Sequence, residues 1–337
     1  MYQLVCLDGY KYPSPETNYV LDILPLPATT GLAATASDQT LRVFDPLRLG
    51  HGPIKTIRTD HGNITSAKVY SAAEGIICTA GENGTVSVWD LRLDPANARA
   101  VQIGGNLPAI LSLACSNETN TVFAGTELAD HQASILIWDL RSPSSPHTQY
   151  NDLHSDDITE LTPHPTTPTL LLSGSTDNLI NITNTLVRDE DDAVLAAFNH
   201  GSVHRAGFLN SRGEVYAASH DEKLAVYDMA DETQTGAATA DFGDVRARLG
   251  CQYLAGVVAN HREGGAVVGV GAQDQEMFQL FHLAKGAGGW GLDREAVVGL
   301  PGAHGSELVR SFCLFDDQQL VFTGGEDGCV KAWGPAR

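Results

Sequence analysis

Short apolar runs, each closed by a polar or glycine-rich turn, recur along the whole chain with little room between them for helices. The clearest stretch runs from Gly302 to Trp333, GAHGSELVRSFCLFDDQQLVFTGGEDGCVKAW. Leu308 to Phe315 is apolar, Asp316-Asp317 turns the chain, and Leu320 to Thr323 is a second run. A tight Gly-Gly-Glu-Asp-Gly turn follows, and Cys329 to Trp333 alternates. Three short strands separated by turn chemistry predict an antiparallel meander. Four of its residues share one logic. His304, in a turn, can bridge the strand hydroxyl of Thr323 and the turn carboxylate of Asp327, while the indole N–H of Trp333 closes the polar chain. Such groups are buried only when paired, and each orphan would cost roughly 1–3 kcal/mol.

The unit recurs. With Trp333 as marker, the equivalent positions are Phe44, Trp89, Trp138, Thr183, Tyr227 and Phe281, spaced 44 to 54 residues apart. An acid or its amide stands six residues before the marker at Asp38, Asn83, Asp177, Asp221 and Asp327, and Asp130 and Asp274 stand slightly further back. His61, Thr79, Asn83 and Trp89 fill the full register in the second unit. The fourth has His154, Ser173 and Asp177 but Thr183 for tryptophan, and the fifth has His200, Asp221 and Tyr227 but Ala217 for the hydroxyl.

This arrangement resembles the structural tetrad of the WD40-repeat family, and the resemblance covers the whole chain. It implies an all-β fold, a seven-bladed WD40 β-propeller in a single domain spanning residues 1–337. Overall size and architecture are also similar to the small single-propeller group named WD repeat-containing protein 89. The chain ends four residues after Trp333, so the last repeat lacks an outer strand. Residues 1–8, with the apolar stretch Tyr2–Leu7, are therefore expected to supply that strand and close the ring.

Composition sharpens the picture at a few points. No segment approaches the roughly 18 consecutive apolar residues of a membrane span, and the first residues show no secretory signal pattern. Cys6, Cys78, Cys115, Cys251, Cys313 and Cys329 form no CxxC pair and read as reduced thiols of a cytoplasmic or nuclear protein. The sequons at Asn63, Asn117 and Asn181 then carry no weight. AKGAGGWGLDRE, after Leu283, is long for a blade connection and reads as mobile. Trp290 within it is either an anchor for a partner or folds back onto the nearest blade.

Charge separates the functional readings. Twenty-one Lys and Arg against 41 Asp and Glu give a net charge of −20, which disfavours nucleic acid and anionic lipid and favours a basic protein partner. No catalytic set is found: Ser173 ends a strand without a following helix, and no glycine loop opens a helix onto a phosphate. His200 and His204 straddle a turn, so a metal is not expected, nor is a cofactor or an enzyme. If the family's loop geometry applies, one face gathers Glu82, Glu127, Asp130, Asp156, Asp157, Asp241, Asp244, Asp274, Glu276, Glu307 and Glu326, with Asp221 engaged in its tetrad. The other face would hold Asp189-Glu190-Asp191-Asp192, Asp231-Glu232 and Asp316-Asp317. A ring of like charge at a mouth favours a Lys/Arg-rich ligand.

Acidic single propellers of this kind are similar to dedicated chaperones of ribosomal proteins or histones, which implies a monomer that escorts a basic partner. The boxes Trp89-Asp90-Leu91-Arg92 and Trp138-Asp139-Leu140-Arg141 resemble those of WD40 substrate receptors of cullin-4 ubiquitin ligases. That resemblance implies adaptor contact through Arg92 and Arg141. A generic scaffold subunit shares the same fold.

Overall fold

The β-branched and small apolar residues of each run pair into sheets because the turns between them are too short for anything but hairpins. The computed structural model describes residues 1–13, 18–26, 31–230, 236–261 and 264–336. In it the strands form seven separate sheets, six of four strands and one of five. Blade 1 comprises Val20–Leu26, Gly31–Ala36, Thr40–Phe44 and Lys55–Arg58; blade 2 comprises Ile64–Ser71, Ile76–Gly81, Thr85–Asp90 and Arg99–Gly104. Blade 3 is Ile110–Ser116, Thr121–Thr126, Ile135–Asp139 and Thr148–Tyr150; blade 4 is Ile158–Pro163, Leu170–Ser175, Leu179–Asn184 and Val194–Asn199. Blade 5 is Val203–Phe208, Glu214–Ser219, Lys223–Asp228 and Ala240–Asp244; blade 6 is Tyr253–Ala259, Gly265–Ala272, Met277–Gly286 and Gly289–Pro301. Blade 7 takes Val309–Phe315, Leu320–Gly325 and Cys329–Gly334 from the end of the chain and Val5–Lys11 from its start. The fold is an all-β, seven-bladed propeller.

The first strand of every blade is innermost, and these strands pack against one another around the ring, the last against the first. Each second strand is buried on both faces between neighbouring blades, which is why GLAATA and EVYAAS show no polar alternation. Contact is close enough that a Cβ on Gly125 would lie 2.5 Å from Ile158, and one on Gly324 would lie 2.6 Å from Val20. Polar side chains stitch the inner strands laterally. Ser112 Oγ donates to the Ile158 carbonyl (2.7 Å), Thr159 Oγ1 to that of Val203 (2.6 Å), and Ser311 Oγ to Asp22 Oδ1 (2.7 Å). A β-bulge sits at the same place in each inner strand, between Val20 and Asp22 in blade 1 and between Val309 and Ser311 in blade 7. A bulge re-aims the side chain that follows it.

The chain start does close blade 7, with Cys6 opposite Trp333 and Lys11 opposite Cys329. The boundary differs from the expected 1–8. Leu4 is buried in the seam with Leu300 and Ala303, so Tyr2–Gln3 runs parallel to the outer strand of blade 6, and the closing strand begins at Val5. Beyond it Tyr12 is buried against blade 1. The Arg42 guanidinium lies 3.9 Å over its ring and reaches Asp38 Oδ2 at 2.7 Å. The first twelve residues therefore tie blades 6, 7 and 1 together.

The glycine-rich segment after Leu283 is not a mobile connection. It is the tip of a long hairpin in which Lys285 pairs with Trp290. Trp290 is buried, and its Nε1 donates to Glu214 Oε1 of blade 5 at 2.8 Å, which Lys285 Nζ also reaches at 2.6 Å. Burial raises the Glu214 carboxyl pKa, but Lys285, Trp290 and Asn210 outweigh it and hold the group below its ordinary value. The indole needs a partner for its N–H when desolvated, and blade 5 provides one. Trp290 is thus a clamp between blades.

Removal of residues 1–12 should leave the edge of Cys329–Gly334 unpaired and uncover the faces that Leu4 and Tyr12 fill. Their burial contributes roughly 3–6 kcal/mol. A chain starting at Pro13 is expected to aggregate or to melt lower by on the order of 10 °C. Calorimetry showing a monomer with unchanged melting would contradict this closure.

Candidate functional site

In three blades a buried polar chain runs from a turn histidine to the third strand or the turn before it. In blade 7, His304 Nδ1 lies 2.6 Å from Asp327 Oδ1 and Nε2 lies 2.8 Å from Thr323 Oγ1, which also accepts from Trp333 Nε1 at 2.9 Å. Burial raises the Asp327 carboxyl pKa, but His304 and Lys331 more than reverse this and hold it far below the ordinary range. In blade 2, Thr79 Oγ1 joins His61 (2.7 Å) to Trp89 (2.7 Å), but His61 does not reach Asn83 directly. Its Nδ1 meets Thr85 Oγ1 at 2.9 Å, and that hydroxyl donates to Asn83 Oδ1 at 2.7 Å. In blade 4, His154 bridges Asp177 (3.0 Å) and Ser173 (2.8 Å). Thr183 there cannot continue the chain, and its buried hydroxyl has no partner among the described residues.

Blade 5 departs from the sequence reading. His200 pairs with Tyr227 OH (3.0 Å) and the Lys223 carbonyl (3.2 Å), not with Asp221. Ala217 offers no hydroxyl, so the ring turns to the phenol.

These histidines lie just beneath one face, here the upper face. Onto it open the turns between second and third strands and the connections from each outer strand to the next blade. Glu82, Glu127, Asp130, Asp156, Asp157, Asp274, Glu276, Glu307 and Glu326 all stand in these segments, whereas Asp241 and Asp244 lie within the outer strand of blade 5, with Asp244 at its upper end. Several have partners. Glu82 Oε1 accepts from Asn63 Nδ2 at 2.6 Å, Asp157 Oδ1 accepts from the Leu128 N–H at 2.8 Å, and Glu326 holds Arg310 at 2.7 Å. Arg99 is paired with Asp60, Arg246 with Asp244 and Lys331 with Asp327. Glu127, Asp130, Asp156, Asp274, Glu276 and Glu307 remain without a cationic partner among the described residues. Half-exposed Tyr19 and Leu128 add apolar surface to the same face.

The acidic run Asp189–Asp192 lies in the connection between Leu179–Asn184 and Val194–Asn199 that opens on the opposite, lower side, but it is not a free loop. Asp189 caps the short helix Glu190–Ala193, and the Glu190 carboxylate accepts from the Asn151 N–H (2.8 Å) and the Asp152 N–H (2.7 Å). Those amides follow the outer strand of blade 3, so Glu190 ties the connection to the flank between blades 3 and 4, while Asp189, Asp191 and Asp192 stay exposed. Val187 and Ala193 pack there with Leu153, Leu171 and Tyr150, beside the marker position where Thr183 leaves room for them. Of the other lower-face acids, Asp316 and Asp317 are exposed in the turn before Gln318, and Asp231-Glu232 lies outside the described residues.

The lower face carries two arginine forks. Arg92 binds both oxygens of Asp90 (2.9 and 2.7 Å) and Arg141 both of Asp139 (2.9 and 2.6 Å), with both guanidinium groups well exposed. The Arg141 side chain lowers the Asp139 pKa to about 2.

A charged cluster inside the ring escaped the sequence reading. Glu160 is buried in the central channel, with Lys68 Nζ and Arg205 Nη1 each 3.5 Å from its carboxylate. Burial lowers the Arg205 pKa, but Glu160 and Asp22 reverse this and raise it. Asp22, Glu160 and Arg205 each follow the bulge of their strand, beside a cavity of about 280 Å³. The available signal was an ionisable residue at the same offset in the inner strands of blades 1, 4 and 5. Among the described residues, no group of three or more His, Cys, Asp or Glu could hold a metal, and no helix is long and apolar enough to cross a membrane.

His304→Ala should leave Asp327 and Thr323 without their shared partner and cost roughly 1–3 kcal/mol, with a smaller loss for His200→Ala. Equal losses in denaturant titration would overturn that ranking. Burial lowers the pKa of His61, His200 and His204, the last to about 4. Their stabilisation is therefore complete above the unfolded value of about 6.5 and declines as pH falls below it. Asp177 and Asp327, whose pKa values are lowered, give a second decline below about pH 4. Melting temperature should fall in these two stages, and a flat profile from pH 7 to 5 would contradict the first.

The WD domain, G-beta repeat family matches residues 52–90 and 297–334, the stretches that hold His61 to Trp89 and His304 to Trp333. An uncharacterized WD repeat-containing protein of Schizosaccharomyces pombe is 30% identical over 285 residues, covering 81% of this chain and 83% of its own. One from Saccharomyces cerevisiae is 28% identical over 289 residues, 83% of this chain and 70% of that protein. The WD repeat-containing protein 89 homolog of Dictyostelium discoideum is 24% identical over 241 residues, 71% of this chain and 61% of the homolog.

Proposed function

The chain belongs to the WD40-repeat family of protein-interaction propellers, and we propose that its upper face binds a basic segment of a protein partner. One observation carries this reading: six acids from blades 3, 4, 6 and 7 converge on that face without a cationic partner among the described residues. With a net charge of −20, the face attracts Lys/Arg-rich chains from a distance and repels nucleic acid. At physiological salt the screening length is about 8 Å, so contacts at the face persist while steering is damped. Tyr19 and Leu128 favour a segment in which apolar residues interrupt the basic ones. An escort of a ribosomal protein or histone in the cytoplasm or nucleus fits these requirements. Such a partner carries dense positive charge that must be covered until assembly.

A second reading uses the lower face. The exposed forks at Arg92 and Arg141 lie at corresponding places in adjacent blades, as the resemblance to cullin-4 substrate receptors requires. Reversing both to Glu would then abolish co-purification of a ligase adaptor, and an unmutated chain that brings down no adaptor closes this reading.

For the first reading, Glu127, Asp130, Asp156 and Glu307 reversed together to Lys should lose the basic partner in affinity purification. Melting should stay within about 1 kcal/mol of the unmutated chain, since exposed charges contribute little to the fold. Association should slow steeply with rising salt. Asp316 and Asp317 reversed to Lys are the matched control. Loss of the partner in that control, with the upper-face variant binding normally, would place the site on the wrong face.

A further inference from the structure

We infer that the lower-face turn of blade 3 is a phosphorylation site, with Ser142 and Ser145 as acceptors for a proline-directed protein kinase. The stretch reads Arg141-Ser142-Pro143-Ser144-Ser145-Pro146-His147, two Ser-Pro pairs within five residues. Both serines are exposed. The Ser142 N–H donates to the Asp139 carbonyl at 2.9 Å, and the next backbone bond is from His147 to Ile137 at 2.7 Å. Between them Pro143 and Pro146 have no N–H to donate, and residues 143–146 pair with no strand among the described residues. The turn can therefore be drawn out into the extended form a kinase cleft needs without breaking a blade. Proline after each serine holds that serine's backbone near the extended region.

The remaining Ser/Thr-Pro pairs are less suited. The Thr162 hydroxyl donates to the Ala206 carbonyl within the inner ring. Thr167 is held in a turn by the His164 ring through its N–H at 3.1 Å, and its carbonyl accepts from Leu170. Ser14 lies outside the described residues.

In the transfer, the serine Oγ bonds to the γ-phosphorus of a nucleoside triphosphate as the bond to the bridging oxygen breaks. The hydroxyl proton passes to the kinase base, and the nucleoside diphosphate leaves. The product brings about −1.5 to −2 charges per phosphate beside Arg141. A dianionic phosphate competes with Asp139 for that guanidinium, so modification rearranges the blade 3 fork and leaves the acidic face untouched.

The full chain, incubated with a proline-directed Ser/Thr kinase and magnesium ATP, should gain phosphate at Ser142, Ser145 or both by fragment mass mapping. Ser142→Ala with Ser145→Ala should abolish the gain, and Thr167→Ala should not. On the modified chain, Arg141→Ala should raise the pH midpoint of the Ser142 phosphate in a phosphorus-31 titration. Phosphate confined to Thr162, Thr167 or Ser14 would overturn the assignment. So would no incorporation where a free peptide of residues 138–149 is fully modified.

Discussion

The ring rests on one pairing, that of Val5–Lys11 with Cys329–Gly334. A four-stranded blade cannot cover its own faces, and each blade here finds cover only between two neighbours. The second strands show this directly: Gly31–Ala36 and Glu214–Ser219 are buried throughout, although the latter contains a carboxylate. Joining the ends of the chain within one sheet pairs the edge of Cys329–Gly334 and completes blade 7 between its two neighbours. Leu4 and Tyr12 extend the joint into the adjacent blades, and the hairpin that carries Trp290 adds a clamp between blades 5 and 6.

Within the ring, the slot beneath the upper face is filled in several ways. Blades 2, 4 and 7 use a histidine and a strand hydroxyl, blade 5 a histidine and a phenol, and blade 1 a guanidinium stacked on Tyr12. The common requirement is that a polar group leaving water must meet another one. Where Thr183 leaves the slot short, the segment 187–193 folds over it and takes an acidic run with it.

Periodicity made the blades and their turns legible, because those depend on residues near one another in sequence; the closing strand was legible only because the last repeat shows three strands where the others show four. The repeat also marked the turns on which the upper-face acids stand. Pairings between distant residues were not legible. Glu214 meets Trp290, Glu190 meets the 151–152 backbone, and Glu160 meets Lys68 across the channel only because the ring brings their blades together. Composition counts such acids as surface charge, and three dimensions remove them from it. Glu326 moves the same way once Arg310 is seen beside it.

On the proposed reading the two faces divide the work, with six acids lacking a cationic partner among the described residues above, and the Arg92 and Arg141 forks together with Asp316 and Asp317 below. Hydrogen exchange on the chain with and without a Lys/Arg-rich polypeptide tests that division most directly. Slowed exchange in the turns around residues 127–134, 155–157, 273–276 and 304–308, with the lower-face turns unchanged, is the predicted result. Protection confined to residues 45–54, 91–97 and 140–147 would contradict it.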